Sequence, residues 1–400
     1  MSTKKQTKTL GRQTKRFFMC SKPVYLDCNA TTPIEPEVYD IICHYLQVEY
    51  GNSSSRTHAW GAVANKAVVK ARGTIAEVVN AKTEEVIFTS GATESNNIAL
   101  LGLGDHGDIT ARKHIITTCI EHKAVLEPLE ALVKRGFDIS YLRVGQDGRV
   151  DPKQVKDLLR DDTLVVSIMH VNNETGVVQP LTEICEILSD HDAFFHTDAA
   201  QGFGKDTESL KNPRIDLISV SGHKIYSAKG IGALIARRRG YKKVPLSPLS
   251  FGGGQERGLR PGTLPVHLIA GLGKAAQIAL TESSQRRSEC TARREEALKE
   301  LLPIGGVING DGKYILPHVL NISFSGLDSE AAMVALKDLV SISNGSACTS
   351  QNYSPSHVLS AMGLDDWRIK SALRISWCHL TPAVDWAAVA YQINNLCAGK

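Results

Sequence analysis

Four runs, TLVVSIMH (163–170), AFFHTDAA (193–200), DLISVSG (216–222) and IGALIA (231–236), decide the fold. Each is short and nearly continuously apolar, as expected of strands whose two faces are both covered by helices. EVIFTS (85–90) and HIITT (114–118) read the same way, and the stretches between, such as 121–136 and 152–160, carry helical periodicity. Strands alternating with helices predict an α/β fold with a largely parallel sheet. In such a sheet, functional groups collect at the carboxyl ends of the strands. Toward the C-terminus the pattern changes. FGGGQERGLRPGTLP (251–265) is a glycine-rich loop, and 266–302 reads as one long helix. PHVLNISF (317–324) and SALRISW (371–377) read as strands, with helices at 328–339 and 384–397. These predict a second, smaller α/β domain.

Composition is that of an ordinary soluble protein, 42% hydrophobic and 22% charged over 400 residues, with no apolar run long enough for a membrane span. The net charge of +4 belongs to one end. Residues 1–26 hold seven Lys/Arg and no Asp/Glu, leaving 39 basic against 42 acidic residues in the rest. A basic, acid-free tail reads as a disordered extension or as an organelle transit peptide. The nine cysteines contain no C-x-x-C pair, which argues against a disulfide framework or a structural zinc site and for a reducing, cytoplasmic setting.

Five segments could carry chemistry. In SGHKIYSAKGIG (221–232), Lys224 follows a buried strand, so its amine lies at the functional edge and could form a Schiff base. Ser221 and His223 beside it could bind phosphate; alternatively the lysine is a surface residue in a turn. In HTDAAQ (196–201), Asp198 ends another strand. A Schiff-base lysine and an aspartate facing a pyridinium nitrogen are what pyridoxal phosphate requires; an N-cap is the alternative for Asp198. TSGATESNN (89–97) enters a helix whose N-terminus can take an anion, with Thr93 adding a hydroxyl, or Ser90 and Thr93 only cap it. His122, in EHKAV (121–125), could stack on a flat cofactor or move protons, or be a satisfied loop residue. Cys348, in SISNGSACTSQNYSP (341–355), lies among small polar residues, a setting that suits an exposed, travelling nucleophile as well as a structural thiol.

Together these segments resemble the cysteine desulfurases of the IscS/NifS type. YLDCNATTP (25–33), GNSSSRTHAWG (51–61), SGATESNN (90–97), EHKAVL (121–126), HVNNETGVVQP (170–180), HTDAAQ (196–201), SGHKIYSAKGIG (221–232), RPGTLPV (260–266) and NGSACTS (344–350) occur in family order. The LDCNATTP wording is similar to the DndA desulfurases of DNA phosphorothioation. The resemblance implies the pyridoxal-phosphate-dependent transferase fold of type I. It implies a large domain at 35–265, a small one from 24–34 and 266–400, and a tail at 1–23. It implies that Lys224 holds the cofactor, Asp198 pairs its ring nitrogen, Gln201 and Asn173 lie near its hydroxyl, and His122 stacks on it. Thr93, Ser221 and His223 would hold the phosphate, with Thr263 reaching the site of the other subunit of a homodimer. Arg374, helped by Asn173, would clamp the carboxylate of L-cysteine, and Cys348 would take the sulfur as a persulfide. No metal is implied. Alanine would leave, and the sulfur would pass to an acceptor protein, for DNA phosphorothioation, iron–sulfur clusters or tRNA thiolation. Two positions depart from the family pattern: Cys378-His379 stand where Gly-Arg is usual after Arg374, and Ser53 stands for Pro. Another pyridoxal enzyme, such as a selenocysteine lyase or aminotransferase, is the first rival reading. A nucleic-acid scaffold, from the tail and RRRGYKK (237–243), is the second and less favoured, since basic clusters are usually solvated faces.

Overall fold

The computed structural model describes residues 22–344 and 355–398; Cys348 and most of the basic tail lie outside the described residues. In chain order, β1 (Val24–Tyr25), α1 (Pro36–Gln47) and α2 (Ala59–Val78) come first. The main run follows: β2 (Val86–Thr89), α3 (Ala92–Thr110), β3 (His114–Thr118), α4 (Lys123–Val133), β4 (Asp138–Leu142), α5 (Pro152–Leu158), β5 (Thr163–Ser167), α6 (Leu181–Ile187), β6 (Phe194–Asp198), β7 (Leu217–Ser221) and β8 (Gly232–Ala236). Then come α7 (Val266–Leu301), β9 (Val307–Ile308), β10 (Val319–Ser323), α8 (Ser329–Leu336), β11 (Val340–Ser341), α9 (His357–Ala361), α10 (Asp366–Ser371), β12 (Leu373–Ser376) and α11 (Trp386–Ala398).

Seven strands form one sheet in the order β2-β8-β7-β6-β5-β3-β4. All neighbours are parallel except those of β8, which runs antiparallel to both β2 and β7. Only residues 222–231 separate β7 from β8, too few for the helical crossover that a parallel return needs. The six strands expected in this region are all present. The sheet has one more, β4, at its edge. Its sequence DISYL is mostly solvent-facing, so no apolar run announces it.

Side chains alternate between two cores, as the period of two in a strand requires. Val86, Phe88, Val166 and Ile218 point to the core beneath α2, α6 and α7. Ile87, Val165 and Leu217 point to the core beneath α3 and α4. A third core gathers β10 and β12 with α8 and α11. The 36-residue α7, about 54 Å long, joins them: Ile269, Leu272 and Ala276 enter the first core, and Ala297 and Leu301 the third. At Gly273 a β-carbon would come within 2.6 Å of Ala71 Cα, so the absence of a side chain lets α7 press onto α2. The smaller sheets are the antiparallel β12-β10-β9 and the parallel pair β1-β11, which ties the first strand to the last quarter of the chain. Among the described residues no helix is long and apolar enough to cross a membrane.

Candidate active site

A cavity of about 480 Å³ opens where β2, β3, β5, β6 and β7 end. Thr93, His122, Asn173, Asp198, Gln201, Ser221, His223, Lys224 and Arg374 all line it. Nine residues spread from 93 to 374 are thus brought to one place, and the position of each follows from the strand it terminates or the turn it occupies.

Lys224 lies in the single turn after β7. Its Nζ donates to the backbone carbonyls of Asn29 and, at 2.8 Å, Ala30. Asp198 is the last residue of β6 and is almost fully buried. Its Oδ1 accepts the Ala200 N–H at 2.9 Å, and its Oδ2 accepts the Asn96 amide at 2.7 Å. One oxygen therefore fixes the local turn while the other is set by α3, so the carboxylate is held from both sides.

The start of α3 is not closed by a side chain. Gly91 is its N-cap and makes no side-chain bond, while the Ser90 N–H is taken by the Glu94 carboxylate. Capping by Ser90 or Thr93 is therefore not what the structure contains. First-turn amides have no carbonyl partner within a helix, and Ala92 and Thr93 stand at the cavity wall. Beneath them β8 passes close: a β-carbon on Gly232 would lie 2.6 Å from Gly91 Cα.

His122 caps α4, its Nδ1 accepting the Ala124 N–H at 3.0 Å. Burial pushes its pKa down, opposed by Asp198 and assisted by Lys224. With Nδ1 an acceptor and the ring neutral, the proton sits on Nε2. His223 is driven further, to about 4, by burial and then by Lys224, Lys229 and Lys205. Its Nδ1 lies 3.2 Å from Thr31 Oγ1. Arg374, in β12, is 1% exposed. It donates to Asp27 Oδ1 at 2.7 Å and to the Asn173 carbonyl at 3.2 Å, while its Nε is buried with no partner. The Gln201 amide donates to the Asn29 carbonyl at 2.9 Å, leaving its Oε1 buried and unpaired.

Thr263 does not line this cavity and is exposed. Its loop is tied to the site's edge by Arg260, whose Nε is 3.0 Å from Glu94. Three contributors escaped the sequence reading. Asn29 supplies the carbonyl shared by Lys224 and Gln201, Asn96 holds Asp198, and Asp27 holds Arg374. All three lie inside motifs already singled out; Asn96 follows the helix start by one turn, but nothing local places the segment after β1 beside β12.

The model of the aminotransferase class-V family matches residues 24–386. This chain belongs to that family. It is 45% identical over 378 residues to a protein of Candida maltosa named "Cysteine desulfurase, mitochondrial", an alignment covering 94% of this chain and 77% of the relative. A solved structure titled "NIFS-LIKE PROTEIN" superposes with a TM-score of 0.86 at 34% identity, covering 94% of this chain and all of the other. The crystal structure of DndA from Streptomyces lividans superposes at 0.78 with 49% identity, covering 90% of this chain and all of that one. The fold described above is thus shared with these structures, and the motifs on which the resemblance rested lie within the matched residues.

Proposed function

We propose that this chain is a cysteine desulfurase, using pyridoxal phosphate and passing the sulfur of L-cysteine to Cys348. The observation that carries the reading is the pairing of Lys224 with Asp198 across one cavity, beside the uncapped start of α3. The donor set suits that cofactor: an amine for the aldehyde, a buried carboxylate for the ring nitrogen, and first-turn amides with Thr93, Ser221 and His223 for the phosphate. The unpaired, buried Oε1 of Gln201 supplies an acceptor for the ring hydroxyl. When bound, the cofactor supplies an electron-accepting ring to the substrate's α-carbon.

The chain's own residues do the rest. Asn29 and Ala30 orient the Lys224 amine through their carbonyls. Asn96 and the Ala200 amide fix the Asp198 carboxylate toward the ring. His122 offers a flat, uncharged ring whose Nε2 carries a movable proton. Arg374, with Asn173 beside it, binds the substrate carboxylate, and its buried Nε is a donor available for that bond. In the overall change the carbon–sulfur bond of cysteine breaks, the sulfur joins Cys348 as a persulfide, and the carbon skeleton leaves as alanine.

The enzyme works as a homodimer with shared sites. In support, Thr263 is exposed on a loop tethered beside the cavity. Tyr39, Leu46, Trp60 and Val69 on α1 and α2 also expose apolar surface. The sulfur passes to a separate acceptor protein in a reducing cytoplasm. DNA phosphorothioation is its proposed destination, on the LDCNATTP wording and the 49% identity to DndA. The test is incubation of the purified protein with L-cysteine. The expected result is alanine and reducible sulfide in equal amounts. A keto acid with the amine retained by the protein would instead indicate an aminotransferase.

A further inference from the structure

Two cysteines that the desulfurase reading leaves unused meet behind the cavity. Cys28 and Cys378 form a buried cluster with Tyr226, each thiol 1% exposed. Backbone bonds fix their approach: the Ser376 N–H donates to the Leu26 carbonyl at 2.8 Å, and the Cys28 N–H to the Ser376 carbonyl at 3.1 Å. Cys378 also opens a tight turn. The Thr381 N–H donates to its carbonyl at 3.0 Å, its own N–H donates to Thr381 Oγ1 at 2.9 Å, and that hydroxyl reaches the Cys378 sulfur at 3.6 Å. Lys205 supplies a buried amine that interacts with Cys28, Cys290 and Cys378 and lies 3.3 Å from His318 Nε2.

Of the two thiols, Cys378 is the more readily ionised. The Cys28 hydrogen bond, and after it Thr381, Leu380 and Lys205, bring Cys378 down to about 6 against burial, while Cys28 moves up as its partner. Burial brings Lys205 down to about 8. Cys185 shows the contrast, since burial drives it up to about 12. A readily ionised thiol is reactive where an oxidant can reach it, and a resolving thiol beside it directs oxidation to a disulfide. A cavity of about 40 Å³ lined by Lys205, Tyr226, Cys290 and His318 reaches the cluster through Tyr226, without being lined by either thiol, and has room for a molecule of peroxide's size.

We propose that Cys28 and Cys378 are a redox modification site, joined reversibly as a disulfide by hydrogen peroxide. The Cys378 thiolate attacks one peroxide oxygen and the O–O bond breaks. The departing hydroxide takes the proton held by Lys205 and leaves as water, and Cys378 becomes a sulfenic acid. The Cys28 sulfur attacks that sulfur, the S–O bond breaks, and the Cys28 proton leaves with the oxygen as a second water. Two thiols lose two electrons and the peroxide gains them. The modification is felt at the site because Cys28 adjoins Asn29, whose carbonyl holds Lys224 and Gln201.

The test uses the holoenzyme carrying Cys348→Ala, treated with hydrogen peroxide, quenched in acid, alkylated after unfolding and mapped by mass. This readout does not depend on desulfurase activity. The expected result is a linked pair of peptides containing Cys28 and Cys378, lighter by two hydrogens, separated by dithiothreitol and formed about tenfold faster than Cys185 is oxidised. Cys28→Ala and Cys378→Ala should each abolish it. The proposal is overturned if both thiols stay alkylatable when Cys185 is oxidised, if Cys28 links to Cys290 instead, or if Cys378 runs to sulfinic acid without a link.

Discussion

Replacing Glu256 by Ala should unseat the glycine-rich loop that carries Thr263. Glu256 is buried, and both its oxygens face the Arg72 guanidinium, with Nη1 to Oε2 at 2.8 Å. Its Oε2 also accepts the Phe88 N–H at 2.7 Å, on the edge strand β2. It reaches them from a left-handed backbone, φ 45°, a conformation that non-glycine residues rarely keep without support. Glu256→Ala strands a buried arginine and a strand amide together. Breaking a buried pair by removing one partner costs about 3–5 kcal/mol. Removing Arg72 as well, as Arg72→Met/Glu256→Ala, takes the stranded charge away and should recover part of that loss, because much of the cost is the uncompensated ion rather than the lost attraction. The assay is urea unfolding of both variants and the parent, with dimer dissociation measured alongside. Glu256→Ala should also weaken the proposed dimer while leaving Lys224 able to react. A stability loss below about 1 kcal/mol for Glu256→Ala, far under the buried-pair cost, or a double variant no more stable than the single, would refute the reasoning.

Four further outcomes are expected. Lys224→Ala should remove the yellow ring absorbance of the purified protein; colour surviving through a covalent link elsewhere would move the anchoring amine. Asn96→Ala takes one of two donors from the buried Asp198 and should cost about 1.5–3 kcal/mol in urea unfolding; a change within error would mean that the carboxylate is held without it. Burial raises the Glu121 carboxyl to about 8, so the folded protein binds that proton more tightly than the unfolded chain does. Its stabilising contribution is full below about pH 4.5 and is lost as the pH rises through about 8. Glu121→Gln should flatten that fall in urea midpoints, and an unchanged pH slope would oppose it. In single-turnover mixing with cysteine, Cys348→Ala should bind substrate and change the ring absorbance yet release almost no alanine, while reduced Cys378→Ala retains most activity; unmodified alanine release by the former would place the nucleophile elsewhere.

The layered sheet was legible because its strands are buried on both faces and therefore spell unbroken apolar runs. β4 was not, because an edge strand half in solvent has no such run. The groups of the site were legible where each ends a strand, as Asp198 does, or sits in the turn just after one, as Lys224 does. The groups that hold them were not: Asp27 and Arg374 meet across 347 positions, through a pairing set by the packing of the small sheet rather than by local pattern. The same distance hid the partnership of Cys28 and Cys378. Cys378 read on its own as a buried strand residue, and its altered acidity depends on a thiol from the other end of the chain.

The joining of β1 to β11, and of Leu26 to Ser376, means that the chain is stitched shut by its two extremities. During synthesis the seven-stranded sheet can form long before the residues that complete the small sheet have left the ribosome, since domains tend to fold as units from the N-terminus. Until those residues arrive, the segment carrying Asn29 and Ala30 is held on one flank only, through Asn173, Gln201 and Lys224, and lacks its bond to Ser376. Arg374, part of the cavity wall, is absent altogether. A chain that stops before β12 keeps the carbonyls that guide Lys224 but has no guanidinium at the cavity wall.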